Sequence, residues 1–273
     1  MTKTIGLITT GQCEHQALAP SLQRVFAEAD VEFISLFRDP TPALTTGHLD
    51  YPAPVSTTAP THIDKFVGRM AAQIFARNAP DFVFAIDDLE LANIATPANV
   101  TRLMHDAAVR ALGTVPVHDQ IARLQTRCSF HLLCPMVEAY FFGEPAALVR
   151  AGARRPPILL ESKQLEAFET ADIGYEGPPD EARHDWRTPD RHRHPKRYLR
   201  FLADPGEYRE TRGGHAALAT LDWSQVFAYP PPEIAFARSL FDDLAHALGV
   251  PNPFPGPIHP LTAFKTGGAL RNL

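Results

Sequence analysis

Three cysteines, Cys13, Cys128 and Cys134, are all that a chain of 273 residues carries. The number is odd and no pair is spaced C-x-x-C, which argues against a disulfide framework and a zinc ribbon and fits a reducing compartment. Long apolar runs are also missing. Nothing approaches the roughly 18 consecutive apolar residues a membrane span needs. The apolar stretch near the N-terminus, in MTKTIGLITTGQCEH, is too short for a signal peptide and reads better as a strand. Together these absences point to a cytoplasmic protein without a membrane partner. Gly11 stands alone in its turn, so there is no phosphate-cradling glycine loop of the Walker or dinucleotide type. Cys13 follows a strand, as in thiol phosphatases, but Ala19 stands where that chemistry wants an arginine. No G-x-S-x-G elbow occurs. A large excess of positive charge is lacking too: the net charge is −5, unlike a globally basic nucleic-acid binder, although a local basic patch remains open.

What is present is ordinary globular material. Apolar residues make up 45% and charged residues 21%, which excludes wholesale disorder and allows a sizeable core. The 26 prolines gather in 40–60, in 178–195 and beyond 230, marking long loops at about 38–60 and 163–194 and an irregular tail at 249–273.

Periodicity orders the rest. Lys3–Thr10 reads as a first strand. A helix follows with Leu18, Leu22, Val25, Phe26 and Ala29 on one face, kinked or opened at Pro20. Val31–Leu36 is a second strand, and Thr61–Asn78 a helix turning Ile63, Phe66, Val67, Met70, Ile74 and Phe75 inward. Asp81–Ile86 is a nearly continuous apolar run, as in a strand covered on both faces. Thr96-Pro97 reads as an N-cap and first helical residue, with the helix running to about Leu112. Cys128–Cys134 is a strand, Pro135 opens a helix, and Pro156–Leu160 is a further strand candidate. Helices are expected from Pro195 and over Glu233–Leu248. The alternation predicts one α/β domain over 1–273, a mainly parallel sheet flanked by helices with a helical C-terminal portion.

In such sheets the functional crevice lies beyond the carboxyl ends of the strands. Glu14 falls there, a few residues after the first strand, and Asp87, Asp88 and Glu90 directly follow the apolar DFVFAI run. Carboxylates gathered in one place repel unless a cation lies among them, and oxygen-only ligands suit Mg²⁺ or Mn²⁺. The competing reading has Asp88 and Glu90 capping the next helix. Glu138 sits in PMVEAYFF, where an acid needs a partner or a metal unless it points to solvent. Residues 183–200 hold Arg183, Arg187, Arg191, Arg193, Lys196, Arg197 and Arg200, with His184, His192 and His194 among them. That run is a solvated loop or a phosphate-binding patch.

The order of these pieces resembles the TOPRIM-like superfamily, and within it a bacterial family akin to the overcoming-lysogenisation-defect (OLD-type) nucleases. The stretches that carry the resemblance are Thr10-Gly11-Gln12-Cys13-Glu14, Asp87-Asp88-Leu89-Glu90, Glu138-Ala139-Tyr140 and Pro195-Lys196-Arg197-Tyr198-Leu199, spread over residues 3–248. Thr10 occupies the place of that family's first glutamate, and Pro20 is unusual for its helix. The resemblance implies a TOPRIM-like sandwich and a Mg²⁺- or Mn²⁺-dependent nuclease or nuclease-related subunit, acting in defence against phage or plasmids. An ATPase partner of the AAA or ATP-binding-cassette type is implied as well. Glu14, Asp87, Asp88, Glu90 and Glu138 would hold the metal, and Glu14 and Lys196 would act in catalysis. Arg191, Arg193, Lys196 and Arg197 would meet nucleic acid. A non-catalytic binding subunit, and a hydrolase or transferase of a small phosphorylated molecule, are the alternatives.

Overall fold

A computed structural model describes residues 2–52, 61–114, 118–160, 164–176, 190–203, 208–228 and 234–273. Its centre is a four-stranded parallel sheet of β1 (Lys3–Thr9), β2 (Val31–Ser35), β3 (Phe82–Asp88) and β4 (Cys128–Leu133), in the order β2-β1-β3-β4. The chain leaves β1 toward β2 on one side and returns to β3 on the other. The order therefore reverses between β1 and β3, and there a crevice opens at the carboxyl ends of the strands.

Alternation along the strands sorts side chains between two apolar layers. Ile5, Leu7, Phe84 and Ile86 face α1 (Gln12–Val25) and the C-terminal helices; Ile8, Val83, Ala85 and Phe130 face α2 (His62–Phe75) and α3 (Pro97–Thr114). α4 (His118–Arg127) lies with the second layer through Leu124. The first layer continues through α5 (Glu138–Phe141), α6 (Pro145–Arg150), α7 (Ile173–Glu176), α8 (Pro195–Leu202), α9 (His215–Ala219), α10 (Trp223–Phe227) and α11 (Ala235–Leu248).

Several local readings change. Pro20 neither opens nor ends α1, which begins at Gln12 and carries the proline inside. Thr61 caps α2 through a reciprocal box with Asp64, but the Thr96 hydroxyl before α3 has no hydrogen-bond partner, so Pro97 opens that helix without a side-chain cap. Pro156–Leu160 is not a sheet strand: it contributes one antiparallel bridge, Leu159 to Thr170. The segment after β4 becomes helical at Glu138 rather than at Pro135. Arg183, His184, Arg187 and Glu233 lie outside the described residues.

The tail beyond α11 is irregular but buried. It starts from a left-handed Gly249 (φ 73°) and brings Leu270 and Leu273 into the second layer. The Asn272 amide accepts from Phe130 N–H (3.0 Å) and donates to its carbonyl (2.7 Å), so a side chain covers part of the sheet edge at β4. Asp243 of α11 gathers Ser129 (2.5 Å), His131 (3.2 Å) and Arg271 (2.6 Å) beneath that tail, which ties it to the sheet. Among the described residues no helix is long and apolar enough to cross a membrane.

Candidate functional site: a carboxylate crevice at the switch point

The crevice has a volume of about 390 Å³. Glu14, Asp87, Asp88, Glu90, Glu138 and Lys196, all singled out from the sequence, line it together with Thr10, Glu210 and the segment Pro40–Ala43.

Asp87 and Asp88 close β3, and because neighbours on a strand point to opposite faces they do different work. Asp87 is 1% exposed and its oxygens are committed. It accepts from the Thr10 hydroxyl, from Leu44 N–H (3.1 Å) and from the Thr45 hydroxyl (3.3 Å). It anchors the loop that walls the crevice. Burial pushes its carboxyl up to about 6 against the pull of those donors.

Asp88 turns to the opposite face. One of its oxygens accepts from Val137 N–H (3.0 Å), just ahead of α5. Glu14, in the first turn of α1, lies close enough for its charge to act on Asp88. Carboxyls crowded in this way resist ionising together. Burial, reinforced by the charge of Glu138, raises Glu14 to about 8; burial and then Glu14 and Glu138 raise Asp88 well above the usual carboxylate range. Gly11 has a structural reason here, since a β-carbon on it would meet the Glu14 carboxyl.

Glu90 does not cap the short 3-10 turn Leu91–Asn93 that follows it. Its backbone sits at φ 58° and ψ 153°, a region that favours glycine. Holding a glutamate there costs on the order of 1–3 kcal/mol, which surrounding structure must offset. The Glu90 N–H bond to Pro135 O (2.8 Å) is one such support. Burial raises its carboxyl to about 7, opposed by Lys196.

Glu138, 2% exposed, is paired rather than solvated. It accepts from the Tyr208 hydroxyl (2.8 Å), and the Lys196 ammonium stands 4.0 Å away. Burial raises its carboxyl while Lys196 and Tyr208 pull it down. Pro195 occupies the first helical position of α8, so Lys196 lies in the first turn, where the helix dipole disfavours a cation. Anions hold it instead: it is in an ion pair with Glu210 and faces Glu138. Burial works to lower its pKa, but these two carboxylates more than overcome that, so the ammonium stays charged.

Tyr208 and Glu210 are site residues that sequence reasoning missed. They arrive from a polar stretch without periodicity, about 70 residues beyond Glu138, where no pattern announces them. The arginines expected to meet nucleic acid stand outside the crevice. Arg191 donates to Tyr175 O and lies 5.0 Å from that ring's centroid, and Arg193 lies 3.5 Å from Glu169. Arg197 is half-buried on α8 beside Lys196. None of the three lines the crevice.

The donor chemistry fits a hard divalent cation: the crevice offers carboxyl oxygens, with no sulfur or imidazole on its walls. Among the described residues, however, no three acidic, histidine or cysteine side chains are already gathered about one ion position. Asp87 belongs to the loop, and Glu138 and Glu210 to Lys196. Glu14, Asp88 and Glu90 are the lining carboxyls that neither the loop nor Lys196 claims.

The chain matches no protein-family model, no curated protein and no solved structure.

Proposed function

We propose that the crevice is a divalent-cation site for phosphodiester hydrolysis, and that the chain is a nuclease, or nuclease-related subunit, with a TOPRIM-like arrangement. One observation carries this reading: six carboxyl residues, Glu14, Asp87, Asp88, Glu90, Glu138 and Glu210, surround one held lysine at the point where strand order reverses. In this account Glu14, Asp88 and Glu90 hold the cation. Mg²⁺ or Mn²⁺ at such a site supplies an activated water and offsets negative charge at phosphorus. Glu14 is raised to about 8, which suits a group that takes up and releases a proton near neutral pH. Glu138 and Glu210 fix the Lys196 ammonium where it meets the charge that develops on a phosphate oxygen. Thr10, in the place of an acid in the family that the sequence resembles, binds Asp87 and so braces the wall.

A hydrolase of a small phosphorylated molecule is the second reading, favoured by a cavity of about 390 Å³, which lies in the range of small-ligand pockets. Incubation of the purified protein with plasmid, linear DNA, RNA and a panel of phosphomonoesters, with Mn²⁺ or with EDTA, separates the two. The nuclease reading expects Mn²⁺-dependent cleavage of a polynucleotide that Asp88→Asn abolishes. Cleavage of monoesters alone would favour the second reading, and no metal-dependent cleavage of any substrate would overturn both.

A further inference from the structure

The wall of the crevice has a second side. Thr41 and Pro42, which line the carboxylate cavity, also line a neighbouring cleft of about 90 Å³. The rest of that cleft comes from Leu44, His62, Lys65, Phe66 and Arg69. His62, Lys65 and Arg69 follow one another at helical spacings of three and four along α2, so they share a face. All three are exposed. Among the described residues none of them is in an ion pair, and the nearby Asp64 is claimed by Arg110 at 2.7 Å. Arg69 is instead steered by the Phe37 ring, 5.8 Å from its guanidinium. The cleft therefore has a buried apolar floor of Leu44 and Phe66 beneath a rim that carries the Lys65 and Arg69 cations, one segment away from a strongly acidic cavity.

We propose that His62, Lys65 and Arg69 form a second subsite, which holds a phosphate of the same phosphodiester chain that enters the crevice. The proposal rests on the phosphodiester reading above and narrows it to a polymer. A carboxylate crevice repels a polyanion until cations intervene, so a polynucleotide needs attraction from beside the crevice rather than within it. An apolar floor and a cationic rim match a unit that offers the C–H face of a sugar beside an anionic phosphate.

The test is equilibrium binding of a fluorescent 20-base-pair duplex and of its single strand, in EDTA, over a range of salt. Lys65→Ala/Arg69→Ala should weaken the tighter-bound probe by at least about tenfold at low salt. The slope of log K against log salt should fall by about 1.8 for the duplex or about 1.4 for the single strand, two contacts' worth. Arg123→Ala, at an exposed arginine on α4 that lines neither cavity, should change neither quantity. Lys65→Gln/Arg69→Gln repeats the test with the side-chain stems retained. Failure of the wild type to bind either probe, or equal weakening by Arg123→Ala, would overturn the subsite. EDTA keeps the cation out of this measurement. A subsite that behaves as stated in a protein that takes up no Mn²⁺ would thus contradict the metal reading alone.

Discussion

Glu138 and Lys196 approach to 4.0 Å inside the crevice, one from a single-turn helix after β4 and the other from the first turn of α8. Neither position favours the charge it carries. Glu138 is almost fully buried, and Lys196 sits at the positive end of its helix, so each makes sense only with the other and with Glu210.

Replacing Lys196 therefore separates a catalytic ammonium from a generic basic residue. Lys196→Ala should reduce turnover by about a hundredfold, the effect of losing one well-placed stabilising group worth ~3 kcal/mol. Arg193→Ala and Arg197→Ala should leave turnover nearly intact. Steady-state rates for the three variants decide it, and three equally mild variants would retire Lys196 from the chemistry.

Asp87 is assigned to the loop and not to the cation. Asp87→Ala removes the acceptor for Thr10, Leu44 and Thr45 and should cost about 2–3 kcal/mol of stability, read by urea unfolding. Its affinity for Mn²⁺, measured while folded, should change far less than that of Asp88→Asn. The opposite ranking would make Asp87 the ligand.

Thr10→Glu adds a carboxylate to the lining of the crevice and loses the hydroxyl bond to Asp87. Tighter Mg²⁺ binding with somewhat lower thermal stability is the expected result. Unchanged affinity in a folded variant would mean that the new carboxylate does not reach the cation.

How much of this was legible beforehand follows from where each residue stands. Strand ends are readable, because apolar runs stop there, and that placed Glu14, Asp87, Asp88 and Glu90 at one end of a sheet. Glu138 stood out as an acid among aromatics, and Lys196 as a cation behind a helix-opening proline. Choosing between Asp87 and Asp88 needed the knowledge of which sheet face carries α1, and strand alternation alone does not say. Tyr208 and Glu210 depend on a long-range approach that local pattern does not encode. That Arg191 and Arg193 stand beside Tyr175 and Glu169 is likewise a long-range relation that sequence does not reveal.

Stability should depend on pH in a direction set by the crevice. Glu14, Glu90 and Asp87 are raised to about 8, about 7 and about 6, so the folded state holds protons that the unfolded chain has already released. Wherever the folded state binds more protons, stability falls as pH rises. In EDTA the melting temperature should fall from about pH 5 to pH 8, the window between the unfolded carboxyl values and the highest of these. Mg²⁺ should restore most of the loss at pH 8 and little at pH 5. A melting temperature that rises with pH over this window would show that these carboxyls are ionised in the folded protein.

The most direct measurement is calorimetric titration of the folded protein with Mn²⁺ at pH 7.5 in two buffers of different ionisation enthalpy, beside Asp88→Asn and Glu14→Gln. The account predicts saturable uptake by the wild type with net release of protons, because Glu14, raised to about 8, must give up its proton as the cation enters. Each variant should lose most of that affinity. No saturable uptake by the folded wild type, or uptake that neither variant weakens and that releases no proton, would contradict it.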